Sequence, residues 1–426
     1  MNRRDYALVT AGYWAFTITD GALRMLVLLH FHQLGYSPVQ LAFLFLLYEV
    51  MGIVTNLVGG WVGSRTGLNK TLMAGLALQI VALTALTFQD VSWVEWASVA
   101  YVMGLQALSG VAKDLTKMSS KGAVKFVAGE GGLFTWVAIL TGSKNALKGV
   151  GFFVGAALLS WIGYDEALLV MAAALVVVLA AIMVLLKSEI GKAKVKQPLK
   201  SILSKSTAIN RLSIARLFLF GSRDIWFVVA LPVFLDDQLG WSFEAVGAFL
   251  ALWTIGYGAV QSVAPRVLGS DHVHGAKVWA FALLIVTAGI AVAVTLDVAV
   301  TTAVVGGLIV YGLVFAVNSS LHSYLILAYS EHDDDVSLDV DFYYSANATG
   351  RLVGTLLSGV LYLWGGFEGA MWGSATFVLI TWALTLRFEP LPTAPHLRMR
   401  EHCGIVPHVV HAFGVGTGVS GRRCTG

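Results

Sequence analysis

Apolar stretches as long as a bilayer is thick recur along the whole chain. A membrane-spanning helix needs about 20 mostly apolar residues, and the candidate spans are centred near Phe16, Val50, Ile80, Gly104, Lys148, Val176, Ile225, Leu252, Leu284, Val310, Leu356 and Val378. Only 12% of the residues are charged and 57% are hydrophobic, whereas soluble chains carry about 25% charged residues. The sequence therefore predicts an all-α polytopic membrane protein with twelve helices and excludes an ordinary soluble enzyme.

Basic residues are confined to alternate connections between these stretches. If the N-terminus is cytoplasmic, the outward connections fall near 33–38, 88–95, 163–166, 236–244, 296–300 and 365–369, and none of them contains Lys or Arg. The opposite set holds 22 of the 28 Lys and Arg. Cytoplasmic loops of membrane proteins carry an excess of these residues. Both termini are therefore predicted to be cytoplasmic.

A basic stretch from Lys187 to Arg211 divides the predicted helices six and six. It defines an N-terminal half over 1–187, a cytoplasmic central loop over 188–211 and a C-terminal half over 212–389. The remaining tail, 390–426, has little apolar periodicity and is predicted to be disordered. The two cysteines, Cys403 and Cys424, both lie in this tail, so they imply no disulfide framework and no CxxC site.

Two short matches relate the halves to each other. Residues 33–37 (QLGYS) resemble residues 238–242 (QLGWS) at a shift of 205. Asn145, Gly163 and Glu166 match Asn347, Gly365 and Glu368 at a shift of 202. Two similar shifts in the same order indicate duplication of a six-helix unit, which predicts a six-plus-six bundle with two pseudo-symmetric halves.

The loop after the second predicted helix, residues 60–70 (GWVGSRTGLNK), resembles the loop motif of the major facilitator superfamily, G-x-L-x-D-R-x-G-R-K. Gly60, Arg65, Gly67 and Lys70 fit the motif, and Ser64 stands where the family has an acid. The resemblance implies a gating role for Arg65, whereas the contact that the family's acid makes with a helix terminus is not expected here.

The first predicted helix carries a more specific resemblance. Residues 19–32 (TDGALRMLVLLHFH), followed by 34–38 (LGYSP), resemble the organoarsenical efflux permease family, ArsJ. The resemblance implies export of 1-arseno-3-phosphoglycerate across the bacterial inner membrane, and hence arsenate resistance. It also implies a functional partnership with the glyceraldehyde-3-phosphate dehydrogenase that makes this compound from arsenate.

Six Lys and Arg lie inside predicted helices, where facing lipid would cost about 2.5–3.5 kcal/mol each. They are Arg24, Lys144, Lys148, Arg216, Arg223 and Arg351. Five of them, Arg24, Lys144, Lys148, Arg223 and Arg351, are the cavity cations on the first, fifth, seventh and eleventh helices, which line the central path in the six-plus-six architecture. These five cations outnumber the expected cavity acids Asp20, Glu49 and Asp224, which favours a small multivalent anion as substrate.

These residues give the predicted site. Substrate-binding candidates are Arg24, Lys144, Asn145, Lys148, Arg223, Asn347 and Arg351. Candidates for proton coupling or gating are Asp20, Glu49, Asp224 and Arg65. Glu49 is the best lone buried acid and a candidate proton carrier.

Purely structural roles remain open for most of these side chains. Asp20 and Arg24 can form an ion pair within the first helix, Lys144 and Lys148 can pair between helices, and Glu49 can be a structural acid. Arg223 can be neutralised by Asp224 or by Asp20. Arg216 lies near the cytoplasmic end and is expected to snorkel towards water.

Other classes of function find less support in the sequence. His30 and His32 are expected to anchor the first helix at the membrane interface, because no third ligand at metal spacing accompanies them. A membrane enzyme would need a nucleophile with a base, a metal cluster or paired acids, and the intramembrane charge is basic instead. The predictions are therefore a transporter without cofactor, metal or nucleic-acid partner, and the alternative is an importer or exchanger of a small phosphorylated or carboxylate anion.

Overall fold

The computed structural model describes residues 3–55, 68–90, 92–127, 133–186, 206–267, 271–330 and 336–391. Most of the loop motif at 60–70, with Arg65, lies outside these ranges, as do most of the central loop and of the tail. Every regular element within them is a helix. The first half has α1 (Arg3–Gln33), α2 (Pro38–Leu44, continuing after Phe45 to Thr55), α3 (Leu68–Leu86), α4 (Glu95–Val127), α5 (Leu133–Ile162) and α6 (Tyr164–Leu185).

The second half repeats this order of helices. It has α7 (Thr207–Phe227, continuing as Ala230–Asp237), α8 (Phe243–Val267), α9 (His272–Thr295), α10 (Val300–Tyr329), α11 (336–364) and α12 (367–385). Within the described residues, eight of these helices are long and apolar enough by composition to cross a membrane. Each of the twelve predicted centres lies inside a helix, and the six predicted outward connections lie at helix ends.

Local sequence signals set several of these ends. Ser37 caps α2 and accepts a hydrogen bond from the Gln40 backbone, while the Gln40 side chain accepts from the Ser37 backbone. Gly365 and Gly366 interrupt the run Val336–Thr385, and Gly366 has φ of +60°. Only glycine adopts that conformation without steric cost, so these two residues separate α11 from α12.

One boundary differs from the prediction. The helix α7 begins at Thr207, inside the stretch 188–211 that was expected to be loop. Arg211 lies in the first turns of α7, where its guanidinium bonds to Glu389 and to the Arg387 carbonyl oxygen. A basic residue can lie within a helix if its side chain reaches partners near the helix end. The prediction used charge alone and therefore placed the end of the central loop too late in the chain.

The two halves have the same internal packing. In the first half α1 packs on α5, α3 on α4 and α3 on α6; in the second, α7 packs on α11, α9 on α10 and α9 on α12. The ends of α1 and α7 also match, since Gly35 and Gly240 both have positive φ (83° and 66°). These glycines are the third residues of the two QLG matches, so the predicted pseudo-symmetry is confirmed.

Glycines allow the central helices to come close together. A Cβ on Gly21 of α1 would lie 2.6 Å from the Lys148 carbonyl oxygen of α5, and one on Gly354 of α11 would lie 2.6 Å from the Gly221 carbonyl oxygen of α7. Between the halves, α5 packs on α8 and α2 packs on α11. A ring of close helices therefore surrounds the centre, where the buried charges lie.

Candidate functional site

Glu49 of α2 accepts hydrogen bonds from two arginines. Arg351 of α11 donates through Nη2 at 2.6 Å, and Arg24 of α1 donates through Nη1 and Nη2 at 3.3 and 3.2 Å. The Glu49 side chain is 1% exposed. Because α11 belongs to the other half, these charge-assisted bonds join the two halves at one carboxylate. The structure therefore gives Glu49 the buried, hydrogen-bonded setting that the sequence left open as its structural alternative.

Asp224 of α7 is the second acid of this network. Its Oδ1 accepts a hydrogen bond from Nε of Arg223 at 2.7 Å and forms an ion pair with Nη2 of the same residue at 2.5 Å. Its Oδ2 accepts from Nε of Arg351 at 3.2 Å. Arg351 thus bridges Asp224 and Glu49 with its two ends. Of the two partners that the sequence allowed for Arg223, the structure provides Asp224.

Asp20 of α1 forms a separate contact with the fifth helix. It accepts a hydrogen bond from the Tyr48 hydroxyl at 2.7 Å and lies 3.7 Å from Nζ of Lys148. The pair that helical spacing allowed within α1, Asp20 with Arg24, is replaced by these contacts. The guanidinium of Arg24 extends towards α2 instead, where Glu49 holds it 5.1 Å from the Phe45 ring centre.

Three aromatic rings lie close to the guanidinium of Arg223. Its Cζ lies 5.0 Å from the ring centre of Phe220, 5.6 Å from that of Phe315 and 5.9 Å from that of Phe227. Such ring contacts stabilise a cation that has little water around it. The side chain is 14% exposed, so Arg223 is fixed by Asp224 and by the rings rather than by solvent.

Cations exceed acids in this network. Among the described residues, the ion pairs connect four cations with three acids: Arg24, Lys148, Arg223 and Arg351 with Asp20, Glu49 and Asp224. These side chains come from α1, α2, α5, α7 and α11, hence from both halves. The network can therefore bind an anion, and an anion that binds must compete with acids already in place.

Two further predicted residues lie on the same helix as Lys148. Lys144 and Asn145 are one turn before Lys148 on α5, and both are partly buried. Asn145 packs against α8, because a Cβ on Gly258 would lie 3.0 Å from the Asn145 Cβ. The structure therefore places Asn145 at the packing surface between the halves.

Arg216 corrects a prediction. It was expected to snorkel, yet it is 4% exposed. Its Nε donates to Oδ1 of Asn347 at 3.0 Å, and its Nη1 donates to the carbonyl and hydroxyl oxygens of Ser319 at 3.1 and 3.2 Å. The guanidinium also lies 3.9 Å from the Phe220 ring centre. Ser319 of α10 and Asn347 of α11 therefore hold Arg216 in the interior.

Sequence reasoning missed Lys113, which was assigned to the cytoplasmic side. It lies within α4, and its Nζ is 4.0 Å from the centre of the Tyr48 ring. The next residue, Asp114, is only 3% exposed. Buried polar residues at Gln106 and Ser109 precede Lys113 on the same helical face. That polar stripe, at spacings of three and four, was a signal that α4 faces the interior.

Comparisons with known proteins agree with this architecture. The model of the Major Facilitator Superfamily matches residues 9–231 and 212–415. A bacterial homologue of the iron transporter ferroportin, in an inward-facing state, aligns with TM-score 0.69 and 15% identity over 91% of this chain and 99% of its own.

Two other solved structures are similar in fold. A point mutant of the nucleoside transporter NupG aligns with TM-score 0.71 and 13% identity over 91% of this chain and 100% of its own. A proton-dependent oligopeptide transporter aligns with TM-score 0.66 and 14% identity over 90% of this chain and 97% of its own. No curated protein sequence matches the chain. At these sequence identities the structural matches indicate the fold but not the substrate.

Proposed function

Because the chain belongs to the Major Facilitator Superfamily, we propose that it carries a small multivalent anion through its centre by alternating access, and that this anion is 1-arseno-3-phosphoglycerate. The family makes the chain a multi-pass membrane transporter and not an enzyme. The substrate, the direction and the membrane are the proposal.

The observation that carries the proposal is the excess of buried cations at the meeting point of the two halves. Arginine binds phosphate or carboxylate through paired hydrogen bonds, and lysine adds a point charge. Arg24 and Lys148 come from the first half, and Arg223 and Arg351 come from the second. An anion with a charged group at each end can thus contact both halves at once.

Exchange of ion-pair partners can couple substrate binding to proton binding. Arg351 links Glu49 to Asp224 and so holds one acid of each half. A substrate anion that takes Arg351 and Arg24 would release Glu49 from both of these partners. A buried carboxylate without a partner is costly to keep ionised, so a proton would neutralise it. Substrate binding would then be linked to proton binding at Glu49.

The arsenical is favoured among anions by the resemblance of residues 19–38 to the ArsJ family. The compound carries a phosphate at one end and an arsenate ester at the other, which suits cations supplied by two halves. Its source would be a glyceraldehyde-3-phosphate dehydrogenase acting on arsenate. The distribution of Lys and Arg supports cytoplasmic termini. We propose efflux across the bacterial inner membrane, in which the anion leaves together with the proton on Glu49 and its remaining negative charge moves down the membrane potential.

An importer or exchanger of a phosphorylated or carboxylate three-carbon anion is the second candidate. The same network favours it, since the phosphate and arsenate groups have similar charge and shape. The two candidates predict different results when the dehydrogenase and arsenate are supplied: the arsenical exporter transports arsenic, whereas the importer or exchanger transports the phosphorylated or carboxylate anion.

Arsenate tolerance and vesicle uptake test the proposal together. Cells without arsenate resistance should gain tolerance when they express this chain with the dehydrogenase, and neither protein alone should suffice. Everted vesicles should accumulate arsenic when the dehydrogenase, its substrates and arsenate are supplied with an imposed membrane potential that is positive inside the vesicles. Uptake of 3-phosphoglycerate by right-side-out vesicles, without any uptake of arsenic by everted ones, would support the importer or exchanger instead.

Arg351→Gln provides the matched test of the site. It removes the cation that bridges Glu49 and Asp224, and arsenic uptake should fall by about 100-fold or more, the scale expected when a bidentate contact to a charged ligand is lost. Arg211→Gln is the control, because Arg211 pairs with Glu389 where both side chains are well exposed (39% and 47%). Equal loss in both variants would contradict a binding role for Arg351.

A further inference from the structure

Three potential metal ligands meet where α1 and α7 end. Nε2 of His32 lies 3.1 Å from Oδ1 of Asp237 and 3.2 Å from Oδ2 of Asp236. One ligand atom from each residue lies within 4.8 Å of the other two. His32 belongs to the first half and both acids belong to the second. Spacing along the chain predicted no further ligand for His32 because it compares only nearby positions, whereas Asp236 and Asp237 come from the other half.

The spacing of these atoms suits a divalent transition-metal ion. Zinc binds imidazole nitrogen and carboxylate oxygen at about 2.0–2.2 Å. Two ligands of a tetrahedral ion are then about 3.3 Å apart, by simple geometry from those bond lengths. The two distances from Nε2 are close to this value, so an ion can enter by displacing the histidine proton with little movement of the side chains.

The chemistry of the donors also favours a metal. One neutral imidazole and two carboxylates form a common ligand set for zinc and for similar ions, and they would leave one position open for water or another group. The exposed fractions rise from 13% for His32 to 28% for Asp236 and 47% for Asp237. Water can therefore reach the site and complete the coordination.

The three ligands lie at equivalent helix ends of the two halves, so a bound ion would affect how the halves move. His32 directly precedes Gln33 and Asp237 directly precedes Gln238, the residues that open the two QLG matches. The ligands thus come from equivalent helix ends of the two halves. A bound ion would hold these ends together in the conformation described here, whereas alternating access requires the halves to move against each other.

We propose that His32, Asp236 and Asp237 form a binding site for a divalent transition-metal ion such as Zn²⁺, and that the ion stabilises the conformation in which α1 and α7 meet. The site lies apart from the central network and needs no assumption about the transported anion. An ion bound between the ends of α1 and α7 would therefore inhibit transport.

Calorimetric titration of the purified full-length chain with ZnCl₂ tests the site directly. The protein is first stripped with a chelator and dialysed to about pH 7.5, because a metal ion binds the unprotonated imidazole. Because the tail carries histidines and cysteines that can also bind Zn²⁺, the wild type is compared with His32→Gln. This variant should lose one equivalent of bound Zn²⁺, or bind it about tenfold or more weakly, and keep the remaining binding.

Matched variants distinguish Zn²⁺ binding at this site from binding elsewhere on the chain. His30→Gln alters the neighbouring histidine, whose ring stacks on Tyr164 at 3.9 Å, and it should bind Zn²⁺ as the wild type does. Asp237→Asn should weaken binding as His32→Gln does, and its exposed position makes it the safer variant for folding. Zn²⁺ should raise the unfolding temperature of the wild type more than that of either site variant.

Superimposable titrations of the wild type, His32→Gln and Asp237→Asn would overturn the proposal. So would an equal loss of binding in His30→Gln. The titrations contain no substrate, so failure of the arsenical proposal would leave these outcomes unchanged, and failure of the metal site would leave the transport experiment unchanged.

Discussion

Glu49 is the residue on which the central network depends most. Removing one partner from a buried ion pair costs about 3–5 kcal/mol, because the other charge remains buried. Glu49→Gln leaves Arg24 and Arg351 without their shared carboxylate, so the purified protein should unfold at a markedly lower temperature. The double variant Glu49→Gln/Arg24→Gln should recover part of this loss.

A surface pair provides the comparison for that cycle. Arg211 and Glu389 also form an ion pair, but exposed pairs contribute about 0–1 kcal/mol. The same cycle of single and double Gln variants there should give a coupling energy close to zero. A coupling at Glu49 and Arg24 no larger than this would show that the buried contact is not the dominant interaction of either residue.

Lys148 gives a second prediction at this scale. Its Nζ has Asp20 at 3.7 Å, a loose contact that leaves the ammonium group available to a ligand. Lys148→Met should reduce uptake of the anion by about tenfold or more, as loss of a charged contact to a ligand does, while the amount of protein in the membrane stays the same. Lys277→Met, at the start of α9, is the control. Normal uptake by Lys148→Met would remove this lysine from the proposed site.

Charged residues were easier to find from the sequence than their partners. The cost of lysine and arginine in a bilayer identified Arg24, Lys148, Arg223 and Arg351 as interior residues. Spacing along one helix, however, relates only residues of that helix. It therefore suggested Asp20 for Arg24, although the true partner, Glu49, comes from α2.

The contact between α1 and α5 supports a prediction at the scale of whole helices. A Cβ on Gly21 would lie 2.6 Å from the Lys148 carbonyl oxygen and 3.2 Å from the Gly151 Cα. These atoms are backbone, so α1 and α5 would have to separate. Gly21→Ala should destabilise the protein by about 1–3 kcal/mol, the usual cost of overpacking, seen as a lower unfolding temperature.

Gly289 of α9 is the matched control. A Cβ there would meet no atom within 4 Å, and alanine favours helix by up to about 1 kcal/mol over glycine. Gly289→Ala should therefore be neutral or stabilising. If both alanine variants have the same stability, close approach of α1 and α5 is not what requires Gly21.

Helix positions followed from apolar length, whereas some helix ends did not. Each predicted centre lies inside a helix because a span must cover the bilayer with apolar residues. The start of α7 at Thr207 and the inward-facing Lys113 of α4 were missed. In both cases a basic residue was taken as the end of a helix, although its side chain finds partners elsewhere in the fold: Arg211 bonds to residues 387 and 389, and Lys113 lies over the Tyr48 ring.

At the scale of the whole molecule, the internal repeat anticipated the pairing of helices. The QLG matches predicted equivalent ends for α1 and α7, and the structure has Gly35 and Gly240 in the same left-handed conformation there. The contacts between the halves could not be anticipated in this way. They depend on how two units of similar sequence are placed against each other, which no match between the units specifies.

Those contacts lead to a prediction about alternating access. If the ends of α1 and α7 must separate during transport, a covalent link between them should stop the cycle. Cysteines at His32 and Asp237, introduced with Cys403→Ser and Cys424→Ser, should react with a short reducible thiol crosslinker. Transport should be lost on crosslinking and return when the link is reduced.

Single-cysteine variants treated with the same reagent are the control, since they carry the label without the link. They should keep the transport rate of the untreated variants, so that the loss belongs to the link itself. Efficient crosslinking with an unchanged transport rate would mean that α1 and α7 stay together throughout the cycle. The two halves would then have to rearrange elsewhere, for example where α5 packs on α8.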